Sequence, residues 1–423
     1  MKTLDKIDRL KQSCKVYEHK SGIKIYVCEK PEFNTSFAIY GTRYGSTDTM
    51  FKKSTDKEYT TVPEGIAHFL EHKLFENEDC DVFEKFSKLG ASSNAYTSFD
   101  RTCYYFSCTD RFDECFEILL DFVQSPYFTK ETVDKEQGII GQEISMYDDS
   151  PSWMLMFDLL AAMYHNHPVK INICGTKQSI SEITPELLYY CYDVFYNPAN
   201  MFICVCGNVD AEHIFDMCDK LLKDKKPVSV DKCRESEPYE VAKRITKRKM
   251  PIAKPLVSIG FKEKCETPLL NAKDAVIYDT VRSMIFDSNS EFANNLIEEG
   301  IVGSKYDSEM FQGFDHLATI VSAETDDPDK FFEKIKQRVD YLHRNGLDKS
   351  DFERNKKHGY GSLVRVFDDV ECTSMCMVDA AVNEHNIFDA ARAYEQITFE
   401  DVQAAFEKYF NTDNCSLSII EPA

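Results

Sequence analysis

The sequence predicts an α+β protein built as two domains, on three observations. A chain of 423 residues, 43% of them hydrophobic, can bury two or more cores. Short alternating runs rich in β-branched and aromatic residues interleave with stretches whose apolar residues recur every three or four positions. A charged segment from Lys223 to Lys249, dotted with Pro and poor in large apolar residues, divides the chain, and the order of elements after it echoes the order before it.

In the first half, Ile23-Lys24-Ile25-Tyr26-Val27 and Ser36-Phe37-Ala38-Ile39-Tyr40-Gly41 alternate and read as the first strands of a sheet. Asp48 to Thr61 is mostly polar and leads into Pro63, near the start of a helix, where proline is tolerated. That helix, Gly65 to Phe75, gathers Ile66, Leu70 and Leu74 on one side. At about 100° per residue, His68 and His72 fall about 40° apart on the other side, with Glu71 on its flank. Val82, Phe83, Phe86 and Leu89 form a second amphipathic set, ended by Gly90. Two strands are expected at Ala91–Ser98 and Thr102–Ser107, helices at 111–127, 129–148 and 153–164, and a strand from Phe202 to Cys206.

The second half begins near Pro251 with the strand Leu256–Phe261. Helices follow at 268–287 and 290–299, strands near 304–322, and helices at 328–345, 349–366 and 370–395. The expected domains are 1–225 and 249–423, with 226–248 as linker. His316, His343, His358 and His385 are scattered, so the second domain is expected to bind no metal.

Two His at i and i+4 can both reach a tetrahedral zinc at about 2.0–2.1 Å, and a carboxylate beside the second can take a proton from metal-bound water. The order H-x-x-E-H is the inverzincin signature. The plainer reading is a surface helix with two solvated His. A distant ligand is offered by Glu143: it lies nearly two turns after Glu136, so the two carboxylates sit within about 20° of each other. Val133, Ile139, Ile140, Ile144 and Tyr147 surround them on the helical wheel. Acids on an apolar stripe need a cation, either a metal held by His68 and His72 or a Lys or Arg from elsewhere.

The His68-x-x-Glu71-His72 motif, followed some seventy residues later by Glu136 and Glu143, resembles the pitrilysin and mitochondrial processing peptidase family of zinc metalloproteases. His167-Pro168, Gly175-Thr176, Ile183-Thr184 and Tyr196-Asn197-Pro198-Ala199-Asn200-Met201 follow in the family's order. Over nearly its full length the chain resembles the YmfH-like bacterial two-domain peptidases within that family. The resemblance implies two homologous α/β domains, each a mainly antiparallel sheet packed against helices, of the LuxS/MPP-like metallohydrolase type. It implies Zn2+ held by His68, His72 and Glu143, with Glu71 as general base and Glu136 supporting the site. It also implies a peptide substrate laid along an edge strand at Asn94, Ala95 and Tyr96. The interval from His72 to Glu143 is slightly shorter than the family's usual one, which reads as a loop deletion.

One departure bears on assembly. Family members whose second domain completes a site carry an Arg and, four residues later, a Tyr that grip substrate. The corresponding stretch here runs from Leu296 to Ser304 and places Glu299 and Gly303 there. The expectation is a homologous partner chain that lacks the metal motif and keeps the clamp, so that two chains enclose a chamber.

A net charge of −22 argues against nucleic acid or an anionic membrane as partner. No run is long enough to span a bilayer, and Met1 to Val16 is charged without an apolar core. Sixteen Cys without a Cys-x-x-Cys then read as reduced thiols in a cytoplasmic protein, with Cys204, Cys206, Cys372 and Cys376 as small core residues. The expected function is a zinc-dependent endopeptidase cleaving short or unfolded peptides inside that chamber. The alternatives are a non-catalytic binding or assembly subunit, or a zinc enzyme acting on a small molecule.

Overall fold

The computed structural model describes residues 1–77, 81–303 and 305–423. From the N-terminus it runs through β1 (Lys2–Ile7), β2 (Gln12–Glu18), β3 (Lys24–Glu29), β4 (Ser36–Thr42), β5 (Met50–Lys53) and β6 (Thr60–Thr61). Helices α1 (Ile66–Leu74) and α2 (Val82–Lys88) precede β7 (Ser92–Thr97) and β8 (Thr102–Cys108). Then come α3 (Phe112–Val123), α4 (Lys130–Asp148), α5 (Pro151–Met163), α6 (Lys177–Ile180), α7 (Pro185–Phe195), β9 (Met201–Gly207), α8 (Ala211–Leu221) and β10 (Val230–Lys232). The second half holds β11 (Ile245–Met250), β12 (Leu256–Lys262), α9 (Ala272–Phe286), α10 (Glu291–Glu298), β13 (Tyr306–Gly313) and β14 (His316–Glu324). It ends with α11 (Pro328–Asn345), α12 (Lys349–Val366), α13 (Val370–Val382), α14 (Asp389–Gln396), α15 (Phe399–Lys408) and β15 (Cys415–Pro422).

The two main sheets repeat one design. The seven-stranded sheet has the order β1-β2-β3-β9-β4-β8-β7, and the five-stranded sheet the order β11-β15-β12-β14-β13. In each, one strand pairs in parallel with the strand that comes last in chain order in that sheet, β3 with β9 and β11 with β15. The three pairings beyond are antiparallel in both sheets. The duplicated, mainly antiparallel architecture expected from the sequence is therefore present in five strands of each sheet, with β1 and β2 added at one edge of the first.

Contacts divide the chain into two units that do not follow the expected boundaries. One comprises Met1–Ile144, Ile171–Arg234 and Val364–Phe388; the other comprises Ser145–Lys170, Glu235–Leu363 and Asp389–Ala423. Helix α13 thus belongs to the first unit, where it packs on β3, β4 and β9. With α1 and α3 packed against β4, β7 and β8, every residue of β4 and β9 is buried, as befits strands covered on both faces. Helix α5 belongs to the second unit and lies on β12 and β15. Gly260 on β12 makes room for it, since a Cβ there would stand 2.2 Å from Met163 Sδ.

The expected linker carries strands of its own. β10 joins β5 and β6 in a small three-stranded sheet, and β11 edges the second main sheet. Their residues are mostly charged and exposed, so they lack the alternation that marks a strand. The single helix expected at 370–395 is two helices, α13 and α14, broken where Glu384 takes a φ of 55°. Ser304, the expected start of a strand, lies outside the described residues. Cys204 and Cys206 are buried as expected, whereas Cys372 is exposed. Among the described residues no helix is long and apolar enough to cross a membrane.

The core of the second unit encloses an acid. Glu263 is 5% exposed, and its Oε1 accepts the Phe410 N–H at 2.9 Å and lies 3.5 Å from the Tyr278 hydroxyl. Burial pushes its pKa up to about 8, against the opposing pull of those hydrogen bonds. A folded-state value above the unfolded one means the unfolded chain ionises first. Stability from this carboxyl is thus complete below about pH 4.5 and lost as pH rises toward about 8. Glu263→Gln should remove that decline and raise stability at pH 8.5 by a few kcal/mol, at about 1.4 kcal/mol per pKa unit. Urea unfolding of both proteins at pH 5 and pH 8.5 checks this; an equal fall in the variant would refute it.

Candidate metal centre

Helix α1 begins at Gly65, whose φ is 87°. A Cβ there would lie 2.4 Å from the Cys174 carbonyl oxygen, so only glycine lets the 171–176 loop pack this close. Thr176 and Ser179 form a capping box at α6, and Ser179 Oγ donates to the Glu64 carbonyl at 2.8 Å. The loop thereby fixes where α1 starts and which way its His residues face.

The helix is not the half-exposed amphipath its pattern suggests. Of its nine residues only His72 escapes burial. His68 lies against Cys174, whose Sγ is 3.9 Å from Nε2, and His68 Nδ1 is buried without a hydrogen-bond partner. Burial and then the neighbouring His72 push the His68 pKa down to about 3, so this ring is neutral, the form that ligates a metal.

Helix α4 brings the two glutamates to the same rings. His68 Nε2 lies 3.7 Å from Glu143 Oε1, and His72 Nε2 lies 3.5 Å from Glu143 Oε2. Ligand atoms about 2.0–2.1 Å from a tetrahedral zinc stand roughly 3.3–3.4 Å apart, so these separations are the right size for a cage around one ion. His68, His72 and Glu143 offer three ligand atoms within 4.8 Å of one another. Two imidazole nitrogens and one carboxylate oxygen leave a fourth position open and suit zinc. Glu136 sits behind, with Oε1 3.1 Å from His72 Nδ1. Burial opposes charge on His72, but that hydrogen bond and the charges of Glu71, Glu136 and Glu143 raise its pKa.

Glu71 is buried beside the rings. Its Oε2 accepts a hydrogen bond from Thr97 Oγ1 at 2.5 Å. Burial pushes its pKa up to about 7, and Glu143 adds to that, while Thr97 and His72 pull the other way. Thr97 ends β7 and closes the Asn94-Ala95-Tyr96-Thr97 stretch that resembles the family's edge strand, but its hydroxyl bond to Glu71 carries no periodic signal. β7 is the last strand of its sheet. Asn94 lines a cavity of about 560 Å³ with Glu71, His72, Phe75, Glu136 and Ile139. The Tyr96 side chain turns elsewhere, its hydroxyl 3.8 Å from Met375 Sδ on α13. Ile139, expected in the apolar stripe of α4, is 46% exposed at this cavity.

Glu136 also has the ordinary cation that the sequence allowed as an alternative. Lys73 Nζ is 3.9 Å from Glu136 Oε2 and pairs with Glu76. Lys73 falls on the apolar side of α1 with Ile66 and Leu70, and a lysine in that stripe is the signal that points to it. Of the clamp positions, Glu299 caps α10 and pairs with Lys334 at 2.6 Å, and the Gly303 N–H donates to the Glu324 carbonyl.

Comparison with known proteins gives a consistent picture. Residues 58–177 match the family model described as insulinase (peptidase family M16), and residues 182–358 match the model described as peptidase M16 inactive domain. The chain is 36% identical over 414 residues to the uncharacterised zinc protease YmfH of Bacillus subtilis (strain 168), covering 95% of each. The crystal structure of an M16-like peptidase from Alicyclobacillus acidocaldarius superposes with a TM-score of 0.93 at 32% identity, covering 97% of this chain and 99% of that one. Pitrilysin matches in fold at 16% identity and a TM-score of 0.75, and there 99% of this chain covers 46% of the other.

Proposed function

Because the chain belongs to peptidase family M16, the insulinase- and pitrilysin-like zinc proteases, we propose that it is a zinc-dependent endopeptidase acting on short or unfolded peptides. The observation that carries this reading is the convergence of His68, His72 and Glu143 from two helices, with Glu71 held beside them.

In this reading His68 and His72 bind Zn2+ through Nε2 and Glu143 binds it through a carboxylate oxygen. Zinc bound there would lower the pKa of a bound water toward ~7 and polarise a scissile carbonyl. Glu71 takes the proton of the attacking water and delivers it to the leaving amine, and Thr97 fixes one of its oxygens so that the other faces the reaction. Glu136 accepts from His72 Nδ1–H and so keeps Nε2 free. The outer edge of β7, at Asn94, Ala95 and Tyr96, offers backbone groups to an extended peptide whatever its side chains. Tyr96 contributes only through its backbone, since its side chain faces α13.

The chamber would need a second chain. Glu299 and Gly303 stand where family members with a complete site carry their Arg and Tyr, and pitrilysin spans about twice this chain's length. A homologous subunit without H-x-x-E-H would supply the clamp. The fifteen described cysteines, all free, accord with a cytoplasmic location. The alternative, a non-catalytic subunit, has no need of a complete ligand set. The test is hydrolysis of a peptide mixture by the chain alone and with its co-purifying homologue, each with and without chelator. Chelator-sensitive cleavage that needs the homologue is expected. Robust cleavage by the chain alone would refute the pairing, and no cleavage in any zinc-loaded arm would refute the peptidase.

A further inference from the structure

Lys73 follows His72 on α1, and its side chain has no exposed surface. A buried ammonium is tolerated only where carboxylates receive it, so its partners indicate its purpose. Nζ pairs with Glu76, one turn on, and lies 3.9 Å from Glu136 Oε2. The other Glu136 oxygen is the one held 3.1 Å from His72 Nδ1. Glu76 in turn lies 3.6 Å from Lys135, the residue before Glu136. Charges therefore alternate from Lys135 through Glu76, Lys73 and Glu136 to His72. The series ties α1 to α4 at a ring whose far nitrogen faces Glu143.

We propose that Lys73 is a positioning residue of the metal centre: its ammonium anchors the Glu136 carboxylate, which holds the His72 ring with Nε2 turned toward Glu143. This rests on the zinc reading of His68, His72 and Glu143. Two effects of the ammonium oppose each other. It repels a divalent cation, and it orients a ligand of that cation. The geometry favours orientation, because Nζ touches no ligand atom and both the Glu136 carboxylate and the His72 ring stand between it and Nε2. Direct repulsion is screened by that carboxylate, whereas orientation passes through the Lys73–Glu136 ion pair and the Glu136–His72 hydrogen bond.

The test measures zinc affinity by chelator competition, and the absorption spectrum of the Co2+ form, in Lys73→Met, Glu136→Gln and the double variant. Lys73→Met should weaken zinc roughly 10–100-fold and alter the Co2+ spectrum, as loss of an outer support does. In the Glu136→Gln background the same change should add less than about threefold, because Lys73 acts through Glu136. Unchanged or tighter zinc binding in Lys73→Met overturns the proposal, and so does a full additional loss in the double variant. Lys73→Gln stands in if the Met variant does not fold, with the same expected loss and the same overturning result. A wild-type chain that binds no zinc overturns the metal reading and this inference with it. A zinc-binding wild type indifferent to Lys73 overturns this inference alone.

Discussion

Glu71→Gln is expected to keep zinc and lose cleavage, with kcat falling roughly 10²–10⁴-fold. The two side chains have the same shape, and the glutamine carbonyl can still accept the Thr97 hydroxyl that Glu71 Oε2 accepts at 2.5 Å. The fold and the metal cage should therefore be preserved, since Glu71 is not among the three residues that could hold the ion. What disappears is the ability to take a proton. Burial pushes the Glu71 pKa up to about 7, close to the value at which a base is both unprotonated and strong enough to work near neutrality. Zinc content and peptide turnover, measured on the same preparation with its partner present, decide the matter. Turnover near the wild-type rate would remove Glu71 from the mechanism, and loss of zinc would make it a structural residue instead.

The parts of the site that could be read from the sequence are those that a single helix dictates. The 3.6-residue turn fixes His68, His72 and Glu71 on neighbouring faces of α1, and Glu136 and Glu143 on one face of α4, whatever surrounds them. Convergence of the two helices depends on tertiary packing, and the family resemblance carried that step. Residues that act across elements left less trace. Thr97 reaches Glu71 from a strand end, and Lys73 is marked only by its place in the apolar stripe of α1, which does not say which carboxylates receive it.

The fold divides along the same line. Strands rich in β-branched and aromatic residues, such as β3 and β8, announce themselves by composition, whereas β1, β10 and β11 are charged and largely exposed and read as tail and linker. The C-terminal β15 is apolar enough to be recognised, yet it lies beyond the helices expected up to residue 395. Membership of α5 and α13 is hidden for a different reason. Both helices bury apolar residues on several sides, so their sequences say that they are covered without saying by which sheet. Only Gly260, the bare position that receives Met163, marks the sheet on which α5 lies.

Glu143→Gln should have the largest effect on the metal. Structural zinc binding to a small peptide domain is worth about 10–16 kcal/mol over four ligands, so one protein ligand carries on the order of 3–4 kcal/mol, or two to three decades in affinity. Here the carboxylate would also be the only anionic ligand of the three, opposite two imidazoles at 3.5 and 3.7 Å. The same substitution should leave the metal-free fold intact or slightly more stable. Glu143 adds to the upward push on Glu71, so at a pH high enough to leave His72 neutral the acids of this cluster repel one another whenever no cation lies between them. Glutamine relieves that repulsion at nearly constant volume. The pairing of outcomes is the diagnostic one: a site kept for binding at the expense of stability loses its ligand and gains in Tm. Chelator competition and thermal unfolding of the metal-free protein measure the two halves separately. Zinc affinity within tenfold of wild type would show that Glu143 is not a ligand. A metal-free Tm that fell by several degrees would show that its place on α4 serves the fold and not the ion.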